Sequence, residues 1–260
     1  TPGFSGADIA NVCNEAALIA ARGGKRFVQK DDFMNAVDRI IGGLEKRTRI
    51  TTAQERRSIA YHEAGHASIS WLLEYANPLV KVTIVPRGKA LGAAWYLPEE
   101  RQITTREQLL DEMCATLGGR AAEEIFLGAI STGASNDLER VTKQAYAMVT
   151  YFGMSDQLPN LNYYDSTGQE WGFTKPYSEE TARLIDKEVQ KIINEQYDRA
   201  RTILRDNAAK HNQLAEKLLE CEVIYSEDLE KIFGKRPWAS RSEEIMEQQA
   251  ADASTTAPHA

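Results

Sequence analysis

An H-E-x-x-H motif at residues 62–66 limits this chain to folds that present two histidines on one face of a helix. Ten residues earlier, Thr52 and Glu55 have the spacing of a capping box, and the following twenty residues contain no proline. The sequence therefore predicts a helix from residue 52 to about residue 74. Residues four positions apart lie one helical turn apart, so we expect the imidazoles of His62 and His66 to project side by side.

Two imidazoles in this arrangement suit a tetrahedral zinc ion, whose bonds to histidine nitrogen are roughly 2.0–2.1 Å long. Glu63 lies beside His62 on the flank of the same face, so its carboxylate can reach a water molecule at the metal without binding the metal itself. A general base requires this arrangement. The alternative is a pair of hydrogen-bonded core histidines, and Gly65 would fit either a close helix contact or ordinary packing.

A catalytic zinc ion needs a third protein ligand, and the motif does not continue with a third histidine. His211 lies in a polar helix and His259 near the end of the chain, so we expect both to be exposed to solvent. The third ligand is therefore expected to be acidic and to come from a distant segment, although Asp137 could instead cap the helix that it opens. Spacing alone does not separate the candidates, which are Glu123, Glu124, Asp137 and Glu139.

The rest of the chain is predicted to be mainly α-helical with a small β-hairpin and no internal repeat. Thr104 and Glu107 form a second capping-box pattern, and the helix that follows could be interrupted at Gly118 and Gly119. Residues 80–85 and 93–97 are the strand candidates. Further helices are expected over residues 5–22, 31–42, 136–152 and 178–219 and in a short segment that ends at Phe233.

Two changes in composition divide the chain into three parts. Residues 45–49 are charged and lack helical periodicity, so we expect a domain boundary there. From about residue 240 the chain is rich in Glu, Gln, Ala, Ser and Thr, which is typical of a disordered tail. The predicted parts are a small helical domain at residues 1–45, a larger domain at residues 46–238 and a tail at residues 239–260.

Charge and cysteine content narrow the classes of function. The 260 residues include 31 Lys and Arg against 38 Asp and Glu, a net charge of −7 that disfavours nucleic-acid binding. Three cysteines without a C-x-x-C pair indicate neither a disulfide framework nor a thiolate zinc site, and they favour a reducing compartment. We expect a soluble piece of a longer protein, because no apolar stretch approaches membrane-spanning length and the chain begins without methionine.

Several ordered motifs over residues 1–235 resemble the FtsH-type membrane-anchored, ATP-dependent AAA zinc metalloproteases. The resemblance is specific because the motifs are long and occur in the family's order. They are T-P-G-F-S-G-A-D at 1–8, N-E-A-A at 14–17, Y-H-E-A-G-H-A at 61–67, K-V-T-I-V-P-R-G at 81–88, G-G-R-A-A-E-E at 118–124 and S-T-G-A-S-N-D-L at 131–138.

The resemblance implies a zinc endopeptidase that binds one zinc ion per chain and degrades unfolded or membrane-extracted proteins. It implies that His62, His66 and Asp137 hold the metal and that Glu63 is catalytic. Glu123 would contact one of these ligands without binding the metal, or would replace Asp137 as the third ligand. A strand that pairs with extended polypeptide substrates would comprise Gly92, Ala93, Ala94, Trp95 and Tyr96, with ordinary hairpin packing as the alternative.

The resemblance also implies that residues 1–45 are the helical lid end of an AAA ATPase module, in which Gly6 and Ala7 face the nucleotide. No phosphate-binding G-x-x-x-x-G-K-[ST] motif occurs, so ATP and magnesium would act only in the full-length protein. That protein is expected to be a homo-hexamer in a bacterial inner membrane, with this part cytoplasmic and the membrane segments elsewhere. A non-enzymatic scaffold that builds a ring for an ATPase is the alternative function.

Overall fold

A computed structural model describes residues 4–42, 52–86, 91–96, 103–163 and 176–238 of the chain. These residues form a mainly α-helical structure, which confirms the predicted fold class, and the predicted tail lies outside them. The helices are α1 (Gly6–Arg22), α2 (Lys30–Gly42), α3 (Ala53–Leu72), α4 (Arg106–Ala122), α5 (Ser135–Thr150), α6 (Glu179–Asp206), α7 (Ala208–Cys221) and α8 (Ser226–Phe233).

Capping boxes start the two helices that build the centre of the molecule. At α3, the Glu55 backbone N–H donates to Thr52 Oγ1, and the Thr52 N–H donates to the Glu55 carboxylate. The box predicted from Thr104 is wrong by one residue, because α4 is capped by Thr105 and Gln108 instead. The sequence T-T-R-E-Q at 104–108 contains two possible capping boxes, Thr104 with Glu107 and Thr105 with Gln108. The local pattern does not decide between them.

A three-stranded antiparallel sheet has the strand order β2-β1-β3, with β2 at one edge. The predicted hairpin is present as β1 (Leu79–Thr83) and β2 (Ala93–Tyr96), in which Val82 pairs with Ala94. The third strand, β3 (Val223–Tyr225), was not predicted. Three residues are too few to show the alternating pattern of a strand.

Two glycines allow α3 and α4 to cross in direct backbone contact. A Cβ atom on Gly65 would lie 2.4 Å from the carbonyl oxygen of Gly118, and one on Gly118 would lie 2.7 Å from the carbonyl oxygen of Gly65. The interruption predicted at Gly118 and Gly119 is therefore wrong, since α4 continues through both. These residues serve the crossing and do not end the helix.

The remaining helices pack around this pair. Helices α7 and α8 cover one side of α3 together with the sheet, and α5 and α6 cover α4. The helices predicted over residues 178–219 are α6 and α7, which are separated at Asn207. Helices α1 and α2 share a separate small core of Val12, Ala16 and Ala36. Within the described ranges, none of the helices combines the length and apolar composition needed to cross a bilayer.

Candidate metal centre

Three side chains from α3 and α5 converge on one point. The Nε2 atoms of His62 and His66 are 3.1 Å apart, as expected for residues one turn apart on α3. Asp137, in the first turn of α5, places its Oδ2 atom 3.2 Å from His62 Nε2 and 3.5 Å from His66 Nε2. The structure thus brings together the three residues that the resemblance implies as metal ligands.

The other ring nitrogen of each histidine is held by an acceptor. His62 Nδ1 lies 2.8 Å from Glu123 Oε1, and His66 Nδ1 lies 2.9 Å from the carbonyl oxygen of Ala115. A carboxylate and a carbonyl oxygen only accept hydrogen bonds, so in both neutral rings the proton is on Nδ1. Both Nε2 atoms therefore turn their lone pairs toward Asp137 and toward each other.

The donor set fits a tetrahedral zinc ion. Ligand atoms at roughly 2.0–2.1 Å from zinc, with tetrahedral angles between them, are separated by about 3.3 Å. The observed separations of 3.1, 3.2 and 3.5 Å are close to this value. Three electron-pair donors this close repel one another unless positive charge lies between them, and two nitrogens with one carboxylate oxygen are ligands that zinc accepts.

Glu123 connects this centre to the loop that leads to Asp137. It opens a π-helical turn, Glu123–Leu127, directly after α4, and its side chain is buried. The carboxylate accepts hydrogen bonds from His62 Nδ1, the Ser131 backbone N–H at 2.7 Å and the Ser131 hydroxyl at 2.9 Å. Burial alone would raise the pKa of Glu123, but these hydrogen bonds outweigh it and hold the pKa below its usual value.

The other two acidic candidates pair with residues outside the triad. Glu124 accepts a hydrogen bond from the Tyr197 hydroxyl and lies 3.6 Å from Arg201, on the side of α6. Glu139 is exposed and pairs with Lys143 on the surface of α5. Tertiary packing therefore separates four acids that sequence spacing could not distinguish.

The centre attracts positive charge. Burial disfavours the charged imidazole of His62, but a ring protonated on both nitrogens donates hydrogen bonds to Asp137 and Glu123, and these raise the pKa of His62 to about 10. Burial likewise raises the pKa of Asp137, yet the hydrogen bonds from His62 and His66 lower it well below its usual range. The same field that favours a proton on His62 would favour a divalent cation among the three donors.

Glu63 is buried beside the triad without belonging to it. The residue is 7% exposed and lines the cleft that contains the two histidines and Asp137. Burial raises the pKa of Glu63, and the charges of His66 and His62 oppose that rise. A carboxylate with a raised pKa at the wall of such a cleft is suited to accept and return a proton.

Sequence reasoning missed the contact between Gly119 and His62. A Cβ atom on Gly119 would lie 2.5 Å from His62 Nε2, so the imidazole occupies space that only glycine leaves open. The paired glycines in the sequence are the available signal, although their local pattern predicts a helix interruption. Ser131 and the carbonyl oxygen of Ala115 were also missed, since neither residue type marks a site by itself.

The predicted substrate strand lies against the cleft, which has a volume of about 1200 Å³. Gly92, Ala93, Ala94 and Tyr96 line it, and Ser70 donates a hydrogen bond to the Tyr96 hydroxyl at 3.2 Å. Trp95 is not among the lining residues, and its ring packs 5.5 Å from Lys81 Nζ. The strand β2 thus has both the edge position that substrate pairing needs and the side-chain contacts of ordinary hairpin packing. Its contact with substrate stays a prediction.

The prediction that His211 is exposed to solvent is wrong. His211 is fully buried on α7, where its ring stacks on Phe126 with centroids 4.3 Å apart and contacts Tyr61 edge-on. Its Nδ1 atom lies 3.2 Å from the Ser68 hydroxyl of α3. The signal was present, because residues 211, 214, 215 and 218 form one helical stripe and the last three are apolar. His259 lies outside the described residues.

Gly6 and Ala7 are exposed at the start of α1, where Ser5 and Asp8 form a capping box. Their contact with a nucleotide stays a prediction.

Two family models match the chain. The model described as "Peptidase family M41" matches residues 49–232, and the model described as "AAA+ lid domain" matches residues 1–35. The first match covers the helix with the two histidines, the sheet and the start of α5, so it contains the whole triad.

Relatives from bacteria and from mitochondria are similar over nearly the whole chain. The "ATP-dependent zinc metalloprotease FtsH" of Parabacteroides distasonis is 83% identical over 96% of this chain and 36% of its own length. The protein of the same name from Rhodothermus marinus is 57% identical over 92% of the chain and 35% of its own length. The mouse "Mitochondrial inner membrane m-AAA protease component AFG3L2" is 49% identical over 95% of this chain and 31% of its own length. The chain thus spans about a third of the length of these relatives.

Proposed function

Because the chain belongs to peptidase family M41, we propose that it is the peptidase part of an ATP-dependent zinc metalloprotease. The family match confirms the FtsH-type resemblance of the sequence motifs. The observation that carries the proposal is the convergence of His62, His66 and Asp137 at separations of 3.1–3.5 Å, with both Nδ1 atoms held by acceptors. These three residues would hold one zinc ion per chain.

Zinc in such a site supplies a Lewis acid that polarises the scissile carbonyl group and lowers the pKa of water. Glu63 accepts the proton that the attacking water molecule loses and donates it to the amide nitrogen as the C–N bond breaks. Glu123 keeps the His62 proton on Nδ1, so that Nε2 remains a ligand. The buried position of Glu63 limits the access of bulk water to the proton that it carries.

We propose that the substrate is an extended polypeptide that adds to the outer edge of β2, beside which the described residues place no further strand. In support of this, β2 lies at the edge of the sheet, and Gly92, Ala93, Ala94 and Tyr96 line the cleft. Main-chain pairing requires an unfolded segment and depends little on side-chain identity, which suits degradation of unfolded or membrane-extracted proteins. Trp95 would take part through its backbone.

The whole protein is proposed to use ATP and magnesium in an AAA module of which residues 1–45 are the lid end, with Gly6 and Ala7 facing the nucleotide. The lid match at residues 1–35 and the names of the relatives support this. By the same proposal, the whole protein is a homo-hexamer. It is anchored in a bacterial inner membrane through segments outside this chain, and this part is cytoplasmic. The mouse relative of this chain is named as an inner-membrane protease component.

Metal analysis combined with two substitutions tests the site. We expect purified protein to contain about one zinc ion per chain and to cleave casein. Glu63→Gln should retain the zinc and lose cleavage, because an amide cannot accept the proton, whereas His66→Ala should lose both. Full casein cleavage by Glu63→Gln would remove Glu63 from the mechanism, and a metal-free wild type that still assembles would favour the scaffold alternative.

An anomalous-scattering map at the zinc absorption edge identifies the third ligand. The map should show one peak among His62 Nε2, His66 Nε2 and Asp137 Oδ2. A peak closer to Glu123 than to Asp137 would contradict the assignment.

A further inference from the structure

The backbone just before β2 lies in direct contact with the side chain of Glu63. A Cβ atom on Gly92 would lie 2.8 Å from both Cγ and Oε1 of Glu63, and 2.9 Å from Cγ2 of Ile59. Real Cβ atoms do not approach other atoms this closely, so no other residue fits at position 92 without a movement. The φ angle of Gly92 is outside the left-handed region, and the glycine is therefore required by the contact and not by a turn.

Neither of the two backbones that enclose Glu63 is free to move apart. On one side, α3 is fixed by its glycine crossing with α4 at Gly65, two residues from Glu63. On the other side, β2 is held in register by β1, where Thr83 pairs with Ala93 and Val82 pairs with Ala94. The groups in this contact that can move without shifting either backbone are the side chains of Glu63 and Ile59.

We propose that Gly92 is a positioning residue, which keeps the Glu63 carboxylate at the metal centre by allowing the β2 backbone to lie against it. This inference rests on the proposed role of Glu63 as general base. The same contact joins β2, which would bind the substrate, to Glu63, which would transfer the proton of the attacking water molecule. The two are adjacent because Ala93 begins β2 immediately after Gly92.

The contact predicts that adding one methyl group separates catalysis from stability. In Gly92→Ala the closest atoms belong to side chains, and Glu63 can turn away at small cost to the fold. Proton transfer is less tolerant, since a displacement of about 1 Å from the reactive position can cost about 100-fold in rate. We expect kcat to fall roughly 10- to 100-fold, with an unchanged KM, zinc content and melting temperature.

The experiment measures kcat and KM of the full chain on an internally quenched peptide, together with zinc content and thermal unfolding. Crystal structures of zinc-loaded wild type and Gly92→Ala add a readout independent of activity, and should show the Glu63 carboxylate displaced in the variant. Gly23→Ala is the matched control. It adds the same methyl group at the end of α1, where the nearest atoms are 3.5 Å away, and should behave as wild type.

A wild-type kcat in Gly92→Ala, or an unmoved Glu63, would overturn the inference. A raised KM with an unchanged kcat would also overturn it, because Gly92 would then serve only substrate binding. If Gly92→Ala folds poorly, the double variant Ile59→Ala/Gly92→Ala replaces it. The double variant removes the close contact with Ile59 and retains the one with Glu63. Its kcat is then compared with that of Ile59→Ala. Failure of the proposed function is recognised separately, by a wild type that does not cleave or by an active Glu63→Gln.

Discussion

At the scale of single residues, the chemistry depends on which nitrogen of each imidazole carries the proton. Ala115 and Glu123 supply acceptors at 2.9 and 2.8 Å, and each fixes one ring so that its Nε2 faces Asp137. The two acceptors differ, since a backbone carbonyl is neutral and cannot be removed by substitution, whereas the Glu123 carboxylate is charged. Glu123 also accepts hydrogen bonds from Ser131, so it orders both the His62 ring and the loop before Asp137.

Removal of the Glu123 side chain should therefore weaken metal binding without removing a ligand. We expect Glu123→Ala to lower the zinc affinity about 10- to 100-fold, the usual effect of losing such a partner. Competition with a chromogenic chelator measures it. Glu124→Ala is the control, because the neighbouring acid contacts Tyr197 and should leave the affinity unchanged. Equal losses in the two variants would contradict the assigned role of Glu123.

At the scale of elements, the crossing of α3 and α4 determines where the site residues stand. One α3 segment carries His62, Glu63 and His66, and the facing α4 segment carries Gly118 and Gly119. Glycine in the middle of a helix costs up to about 1 kcal/mol relative to alanine, so three of them at one crossing oppose helix formation. The close contact offsets that cost by allowing the His62 ring to pack directly on α4.

Gly65→Ala should destabilise the protein although alanine is the better helix former. Its methyl group would meet the Gly118 carbonyl oxygen at 2.4 Å, and two packed backbones cannot move apart as a side chain can. Overpacking of this kind costs about 3 kcal/mol, more than the roughly 1 kcal/mol gained in helix propensity. Urea unfolding with the same denaturant slope as wild type measures the loss. A variant as stable as wild type would show that the helices separate easily.

At the scale of the whole molecule, α7 packs through one buried histidine against the helix that carries the two histidines of the site. His211 contacts Tyr61, Ser68 and Phe126, which lie near His62, His66 and Glu123 in the chain. Burial lowers its pKa from 6.5 to about 4, so the folded protein keeps His211 neutral at pH values where the unfolded chain would protonate it.

The stability of the fold should consequently decrease as the pH falls from 6.5 toward 4. Between these values the unfolded chain binds one proton more than the folded one at His211, which costs up to about 3 kcal/mol by linkage. Urea unfolding midpoints across this window measure the effect. His211→Gln should show a shallower dependence on pH than wild type, since titration elsewhere is common to both. Identical slopes would contradict a buried neutral His211.

Local patterns in the chain were enough to predict most helices, the hairpin and the residues of the H-E-x-x-H motif. Capping boxes and residues four apart act within one or two turns, so Thr52, His62 and His66 could be placed from neighbours alone. The motif also predicted that Glu63 lies beside the two histidines, in the same cleft. The family resemblance added Asp137 and Glu123, which spacing by itself left among four equivalent acids.

Long-range packing decided the remainder. His62 and Asp137 are 75 positions apart, and Ser68 and His211 are 143 apart, so no local pattern relates them. The same holds for β3, which exists because β1 pairs with it, and for Gly92 and Gly118, whose purpose depends on the atoms of a distant segment. A side chain's local periodicity sets the face on which it lies, but the element packed against that face determines whether it is exposed, buried or brought to a metal.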